Sequence, residues 1–142
     1  MQDLWIVGGS GAALEVWAVA RAMEASGPQP WKLRGFLVIE GSPEFDPEGL
    51  EVRNEVAFLA APPTSQALIV VGLGEPSLRQ KVAQTYAIRG FQFATLIHPS
   101  AIVGPACSVG EGSVLMALSV LETHVNVGEH ALLNVGTSIA HN

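Results

Sequence analysis

Cysteine is nearly absent. Cys107 is the only one, which excludes an intrachain disulfide and any cysteine-rich zinc site. Basic charge is scarce as well: 7 Lys and Arg stand against 13 Asp and Glu, a formal net charge of -6, and no basic block occurs anywhere. That argues against a phosphate-neutralising nucleic-acid surface and against a polybasic membrane patch. No apolar run approaches the roughly 20 residues that span a bilayer. The N-terminus carries Asp3 and no early Lys or Arg, unlike a signal peptide, so the expected location is the cytoplasm. Charged residues make up only 14% and hydrophobic ones 49%, so disorder is excluded as the main state. The 142 residues allow one ordinary domain or two small ones sharing a modest core.

Two patterns divide the chain, and they predict a domain of residues 1–97 and another of residues 98–142. In the first, short apolar runs alternate with helical spacing. Leu4 to Val7 predicts a strand, closed by Gly8-Gly9-Ser10-Gly11. Ala12 to Ala25 predicts a helix, stopped by Gly27-Pro28. A second strand is expected over Lys32 to Glu40, a loop over Gly41 to Gly49, and a short helix over Val56 to Ala61. Ala67 to Val71 is apolar throughout, as in a strand buried on both faces. Pro76 to Ile88 predicts a helix with Pro76 in its first turn, and Phe91 to Ile97 a fourth strand. Strands alternating with helices imply a parallel sheet with helices packed on it, an α/β Rossmann-like fold. Trp5, Trp17 and Trp31 are expected in its core or at its edges.

The second pattern counts in sixes. Val103, Val109, Leu115, Leu121, Val127, Leu133 and Ile139 recur at that period. Two residues before each lie Ala101, Cys107, Ser113, Ser119, Val125, Ala131 and Thr137, mostly small. This is the hexapeptide signature of a parallel β-helix, in which the aliphatic points into a triangular prism and the small residue permits the corner. The forty-five residues from His98 to Asn142 make two and a half coils. A solenoid normally needs about three repeats and a cap. The count therefore favours a piece of a longer protein over a chain whose ends are closed by the sheet domain and by oligomerisation.

The glycine-rich turn after the first strand is the first chemical candidate. Glycines let a backbone approach closely, and free N–H groups at a helix N-terminus attract phosphate oxygens. A tight turn without ligand is the alternative. Glu40, at the end of the second strand, is placed to take ribose hydroxyls. Four strands do not make the two halves of a dinucleotide fold, so a single nucleotide or nucleotide sugar fits better. Gly72-Leu73-Gly74-Glu75 follows the buried third strand and is expected to line the same crevice, with Glu75 capping the next helix. Arg79 then pairs either with phosphate or with Glu75. Among the histidines, His98 is expected to make a structural hydrogen bond. His124 and His130, six apart, fall on different sides of a coil and do not form a metal site. His141 lies near a corner and points outward. Cys107 is expected to pack, not to react.

The order of these motifs resembles the PglD/NeuD-type sugar acetyltransferases. It runs from Val7-Gly8-Gly9-Ser10-Gly11 through Arg34-Gly35-Phe36-Leu37, Val71-Gly72-Leu73-Gly74 and Arg79 to Phe93-Ala94-Thr95-Leu96-Ile97-His98-Pro99-Ser100-Ala101. The resemblance implies a Rossmann-like domain holding a nucleotide-linked amino sugar or sialic acid at Gly9, Ser10 and Gly11; Gly8, Glu40, Gly72 and Gly74 are expected beside them from their places at the strand ends. It also implies a left-handed parallel β-helix, incomplete at its C-terminus, that forms a homotrimer with acetyl-CoA in the groove between neighbours, and no metal. The family phrase that carries its catalytic histidine matches Leu133-Asn134-Val135-Gly136-Thr137-Ser138-Ile139-Ala140-His141-Asn142. That match makes His141 the general base and Asn142 its orienting partner. Two other classes are open: a trimeric scaffold that binds a nucleotide sugar without catalysis, and a nicotinamide-dependent oxidoreductase using the glycine turn.

Overall fold

The strand β1 (Gln2–Val7) is the centre of a five-stranded sheet in the computed structural model, which describes residues 1–141. It pairs in parallel with β2 (Trp31–Val38) on one side and β4 (Ala67–Val71) on the other. Outside these lie β3 (Glu51–Asn54) and β5 (Gln92–Phe93), also parallel, giving the order β3-β2-β1-β4-β5. The apolar runs follow from burial on both faces. Leu4 and Ile6 pack with Leu68 and Val70 in the core under helix α1 (Gly11–Ser26). Trp5 and Val7 pack with Ile69 and Val71 in the core under α3 (Pro76–Ile88), joined by Phe58 from the short helix α2 (Glu55–Ala60). A β-bulge interrupts β2: Leu4 faces Leu33 but Trp5 faces Gly35, so Arg34 is the extra residue. The one-residue shift exchanges the faces of β2, and Phe36 joins Trp31 and Leu33 in the α1 core. All three tryptophans are buried.

Two expectations need correction here. The stretch after the loop contains a fifth strand, β3, whose four residues are all exposed. An edge strand with no buried face has no apolar alternation to announce it. The single strand expected over Phe91 to Ile97 is two: β5 stays in the sheet beside β4, whereas β6 (Leu96–Ile97) leaves it and pairs with the solenoid. One stretch expected as a single strand serves two different sheets.

From β6 onward the chain is a parallel β-helix of two-residue strands: β7 (Ile102–Val103), β8 (Ser108–Val109), β9 (Val114–Leu115), β10 (Val120–Leu121), β11 (Asn126–Val127), β12 (Leu132–Leu133) and β13 (Ser138–Ile139). They stack as three faces, β6-β9-β12, β7-β10-β13 and β8-β11. Leu115, Leu121, Val127 and Leu133 fill the prism, with Cys107 packed beside them. The corners depart from expectation by one residue. The left-handed conformation falls on Ala106, Gly112, Leu118, His124, His130 and Gly136, each immediately before the small residue. The small side chain tucks inward, as fully buried Ser113 and Ser119 do, and the preceding residue takes the strained dihedral.

The two units share a core. Leu96, Val114 and Met116 from the first solenoid face join Leu4, Ile6, Val16 and Trp17 in one apolar cluster. Helix α1 thus lies between the sheet and the solenoid.

Candidate functional site

The strand order reverses between β1 and β4, and the loops that follow these two strands meet there. In parallel sheets such a crevice, at the carboxyl ends of the strands, is where ligands sit. Gly8 N–H donates to Leu37 O at 2.9 Å, and Gly72 N–H to Val7 O at 2.8 Å, so both loops leave their strands in register. Gly8 is buried with φ +135°, and a Cβ there would fall on the carbonyl oxygen of Gly72. A Cβ on Gly72 would lie 2.9 Å from Ala13 Cα. These two glycines are required by the meeting of two loops and a helix. A Cβ on Gly11 would meet open space.

Gly8, Gly9, Ser10 and Glu40 come together around a groove of about 170 Å³, closed by Val38, Ile39, Ser42, Glu44 and Leu73. The Gly41 to Gly49 loop folds over it, with Glu44 N–H donating to Gly9 O at 2.7 Å. Gly72 and Gly74 stand behind the groove and do not line it; Leu73, between them, does. Ser42 and Glu44 were not among the expected residues, since neither a serine nor a carboxylate in a loop gives a distinctive sequence signal; Leu73 belongs to the Gly72-Leu73-Gly74-Glu75 loop expected at the crevice.

Two helices begin at this crevice, and their N-termini differ. At α1 the N-cap Ser10 makes no side-chain capping bond, and the first turn holds no acidic residue. The amides of Gly11, Ala12 and Ala13 precede the first helical bond, Leu14 N–H to Ser10 O at 3.1 Å. At α3, Glu75 closes the end. Its carboxylate accepts from Ser77 N–H at 3.1 Å, Leu78 N–H at 2.7 Å and the Ser77 hydroxyl at 2.8 Å. These bonds, the Ser77 hydroxyl foremost, hold the Glu75 carboxyl below the usual carboxylate range. An anion therefore finds free donors at α1 and a resident carboxylate at α3.

Arg79 makes no ion pair with Glu75. Its guanidinium donates to three backbone carbonyls, those of Leu73, Gly74 and His130. His130 sits at a solenoid corner, half-buried, with its ring edge-on to Phe93 at 4.5 Å. Its Nδ1 is buried without a hydrogen-bond partner, and burial keeps the imidazole neutral to lower pH than usual. His98 makes the expected structural bond, its Nδ1 accepting from Ser100 N–H at 3.0 Å. His124 is exposed and held by Thr123 at 2.8 Å. His141 is exposed two residues past the end of β13, and the intervening Ala140 O receives Thr123 N–H from the coil below at 3.3 Å. Asn142, its expected orienting partner, lies outside the described residues. A larger cavity, about 640 Å³, lies elsewhere, between β1, β3 and α2. Its charges are satisfied among themselves: Arg34 pairs with Asp3 at 2.9 Å and Arg53 with Glu51 at 2.9 Å. Among the described residues no group of three or more His, Cys, Asp or Glu is placed to hold a metal, and no helix is long and apolar enough to cross a membrane.

The architecture is thus a parallel sheet, with a groove at the carboxyl ends of its strands, joined to a parallel β-helix. No protein-family model matches the chain. It is 42% identical over 50 residues to the UDP-N-acetylbacillosamine N-acetyltransferase of Bacillus subtilis (strain 168), covering 35% of this chain and 23% of that one. It is 25% identical over 93 residues to the GDP-perosamine N-acetyltransferase of Escherichia coli O157:H7, covering 66% and 42%. Its fold matches that of PerB from Caulobacter crescentus, solved in complex with CoA and GDP-perosamine. There the TM-score is 0.81 at 25% identity, over 99% of this chain and 64% of that one. Variants of that enzyme with a histidine replaced by asparagine or by alanine have been solved with the same two ligands. The homologues of this chain are thus sugar N-acetyltransferases of the hexapeptide-repeat family. The chain spans 23% and 42% of the length of the curated relatives it matches.

Proposed function

We propose that this chain is the nucleotide-sugar-binding part, with the first coils of the β-helix, of an acetyl-CoA-dependent N-acetyltransferase acting on an amino sugar carried by a nucleoside diphosphate. The observation that carries this reading is the match of 99% of the chain to an enzyme solved with CoA and GDP-perosamine together. Local geometry supports it. The uncapped N-terminus of α1 offers amides to a diphosphate, and Glu40 stands across the groove to accept from ribose hydroxyls. The groove is smaller than the roughly 300 Å³ of a typical complete ligand pocket. It takes the diphosphate and ribose, and leaves the sugar outside, toward another surface.

The chemistry follows from His141 as general base. The neutral imidazole accepts a proton from the sugar amine as its nitrogen attacks the thioester carbonyl carbon. A backbone N–H stabilises the tetrahedral oxyanion. The C–S bond then breaks, the amide forms, and the CoA thiolate recovers the proton from His141. His141 is exposed and ends the last described coil, a position that serves catalysis when a neighbouring subunit closes over it. Exposed Ile102, Leu118 and Val135 on the solenoid support the left-handed helix packing as a homotrimer, with acetyl-CoA between neighbours. An N-acetyltransferase using these two cytoplasmic metabolites belongs in the cytoplasm.

Calorimetric titration of the chain with UDP, GDP, CMP and NADH tests the binding half. Binding of UDP or GDP is expected; binding of NADH alone would make the glycine turn a dinucleotide site. Release of CoA thiol from acetyl-CoA, with a nucleoside-diphosphate amino sugar as acceptor, tests the other half in the longer protein. Replacing His141 by asparagine is expected to remove turnover while leaving nucleotide affinity intact; full turnover in that variant would refute the assignment.

A further inference from the structure

Leu73 forms one wall of the groove, yet neither it nor Gly74 has a side chain able to hydrogen-bond the loop in place. Arg79 does so from outside. Its Nη1 donates to Leu73 O at 3.0 Å and Gly74 O at 3.3 Å, while its Nε donates to His130 O at 2.8 Å. The first two carbonyls belong to the crevice and the third to the solenoid, 51 residues from Arg79 in sequence. Neither helix stability nor an ion pair accounts for this placement. A cation near a helix N-terminus opposes the dipole, and none of the ion pairs among the described residues includes Arg79.

The solenoid end of this link is closely packed. His130 has φ 54°, and its N–H donates to Glu111 O at 2.9 Å. Its ring sits directly against Gly112, where any Cβ would collide with the imidazole, and edge-on to Phe93 of β5. The corner is therefore packed on both sides, against the neighbouring coil and against the edge of the sheet.

We infer that Arg79 is a positioning residue for the groove: it ties the Leu73–Gly74 wall to the solenoid corner at His130, so nucleotide affinity depends on a side chain that does not line the groove. The inference rests on the nucleotide reading proposed above. Coupling of this kind is reciprocal, so nucleotide in the groove also steadies the corner at His130.

Arg79→Met keeps the length of the side chain and removes all three donations; Arg79→Lys keeps the charge and one donor group. Both are compared with Arg21→Met, which removes only a surface pair within α1. Two readouts are taken: amide hydrogen exchange at His130, with Ile69 and Leu121 as internal references, and titration with UDP and GDP. Arg79→Met is expected to speed exchange at His130 about tenfold and to weaken nucleotide binding by a similar factor, leaving Ile69 and Leu121 protected. Arg79→Lys should fall between, and UDP or GDP should slow His130 exchange in the unaltered chain alone. Unchanged exchange and unchanged affinity in a folded Arg79→Met chain would overturn the inference; if that variant unfolds, Arg79→Lys is judged on the same two readouts. Should the unaltered chain bind neither nucleotide, the nucleotide reading fails, and with it the role of Arg79 in affinity. Exchange at His130 then still reports whether the link itself exists.

Discussion

Gly8 and Gly72 meet where two loops leave adjacent strands, and the space between them admits no side chain on Gly8. Gly8→Ala places a Cβ on a carbonyl oxygen in a backbone conformation that L residues rarely adopt. It is expected to destabilise the chain by about 2–3 kcal/mol in chemical denaturation. Gly11→Ala enters open space at the first residue of α1 and is expected to leave stability within about 0.5 kcal/mol. Equal losses at the two positions would show that the turn is not built as described.

Glu75 makes the acid limb of the stability profile testable. Its folded carboxyl is held low by the Ser77 hydroxyl and two amides, so its contribution is present above the ordinary Glu value of about 4.3. That contribution disappears as pH falls through the lowered folded value. Glu75→Gln should have a lower melting temperature than the unaltered chain at pH 7, and the two curves should converge as pH falls below the ordinary Glu value through the lowered folded one. A constant difference across that range would exclude the charged cap.

At the alkaline limb the corresponding group is Tyr86. Its ring is fully buried, and its hydroxyl donates to Glu55 at 3.1 Å, tying α3 to α2. Burial and the nearby carboxylate push its ionisation well above the usual tyrosine value of about 10. The neutral phenol's contribution is therefore complete below about pH 10 and is lost as pH rises beyond it. Tyr86→Phe should cost about 1 kcal/mol at pH 7 and should flatten the alkaline fall, followed by circular dichroism between pH 8 and 11.

Solenoid corners can be probed from both sides. Ser113 is fully buried, donating to Gly128 O at 2.7 Å and accepting from Ala131 N–H at 3.0 Å. Ser113→Ala leaves both partners unsatisfied and is expected to cost about 1–3 kcal/mol. Leu118 holds a left-handed φ of 61° while 63% exposed, so Leu118→Asn should instead stabilise the corner by about 0.5–1 kcal/mol. A loss of stability at Leu118→Asn would mean that its exposed side chain is already packed against a neighbour.

The period-six aliphatics, the buried runs of β1 and β4, α1 with its Gly27-Pro28 stop, and the Glu75 cap were all legible in the sequence. Each depends on interactions within a few residues, or on a repeat so regular that one coil predicts the next. Gly8, Gly9, Ser10 and Glu40 were legible as a group because strand ends in a parallel sheet converge on one edge. The Gly72-Leu73-Gly74-Glu75 loop was legible as part of the crevice, but within it Leu73 lines the groove and the flanking glycines do not.

Residue order sets which segments of the two halves must be buried, and the hexapeptide register of the solenoid. Tertiary structure alone decided where the stretch from Phe91 to Ile97 breaks, that exposed Glu51–Asn54 completes the sheet edge, and that Arg34 bulges and exchanges the faces of β2. It also decided that Arg79 reaches past Glu75 to a carbonyl 51 residues away. Local pattern records what a residue must avoid, chiefly water or strain. Which of several equally apolar or polar partners it meets depends on how distant segments pack, and no window of sequence contains that choice.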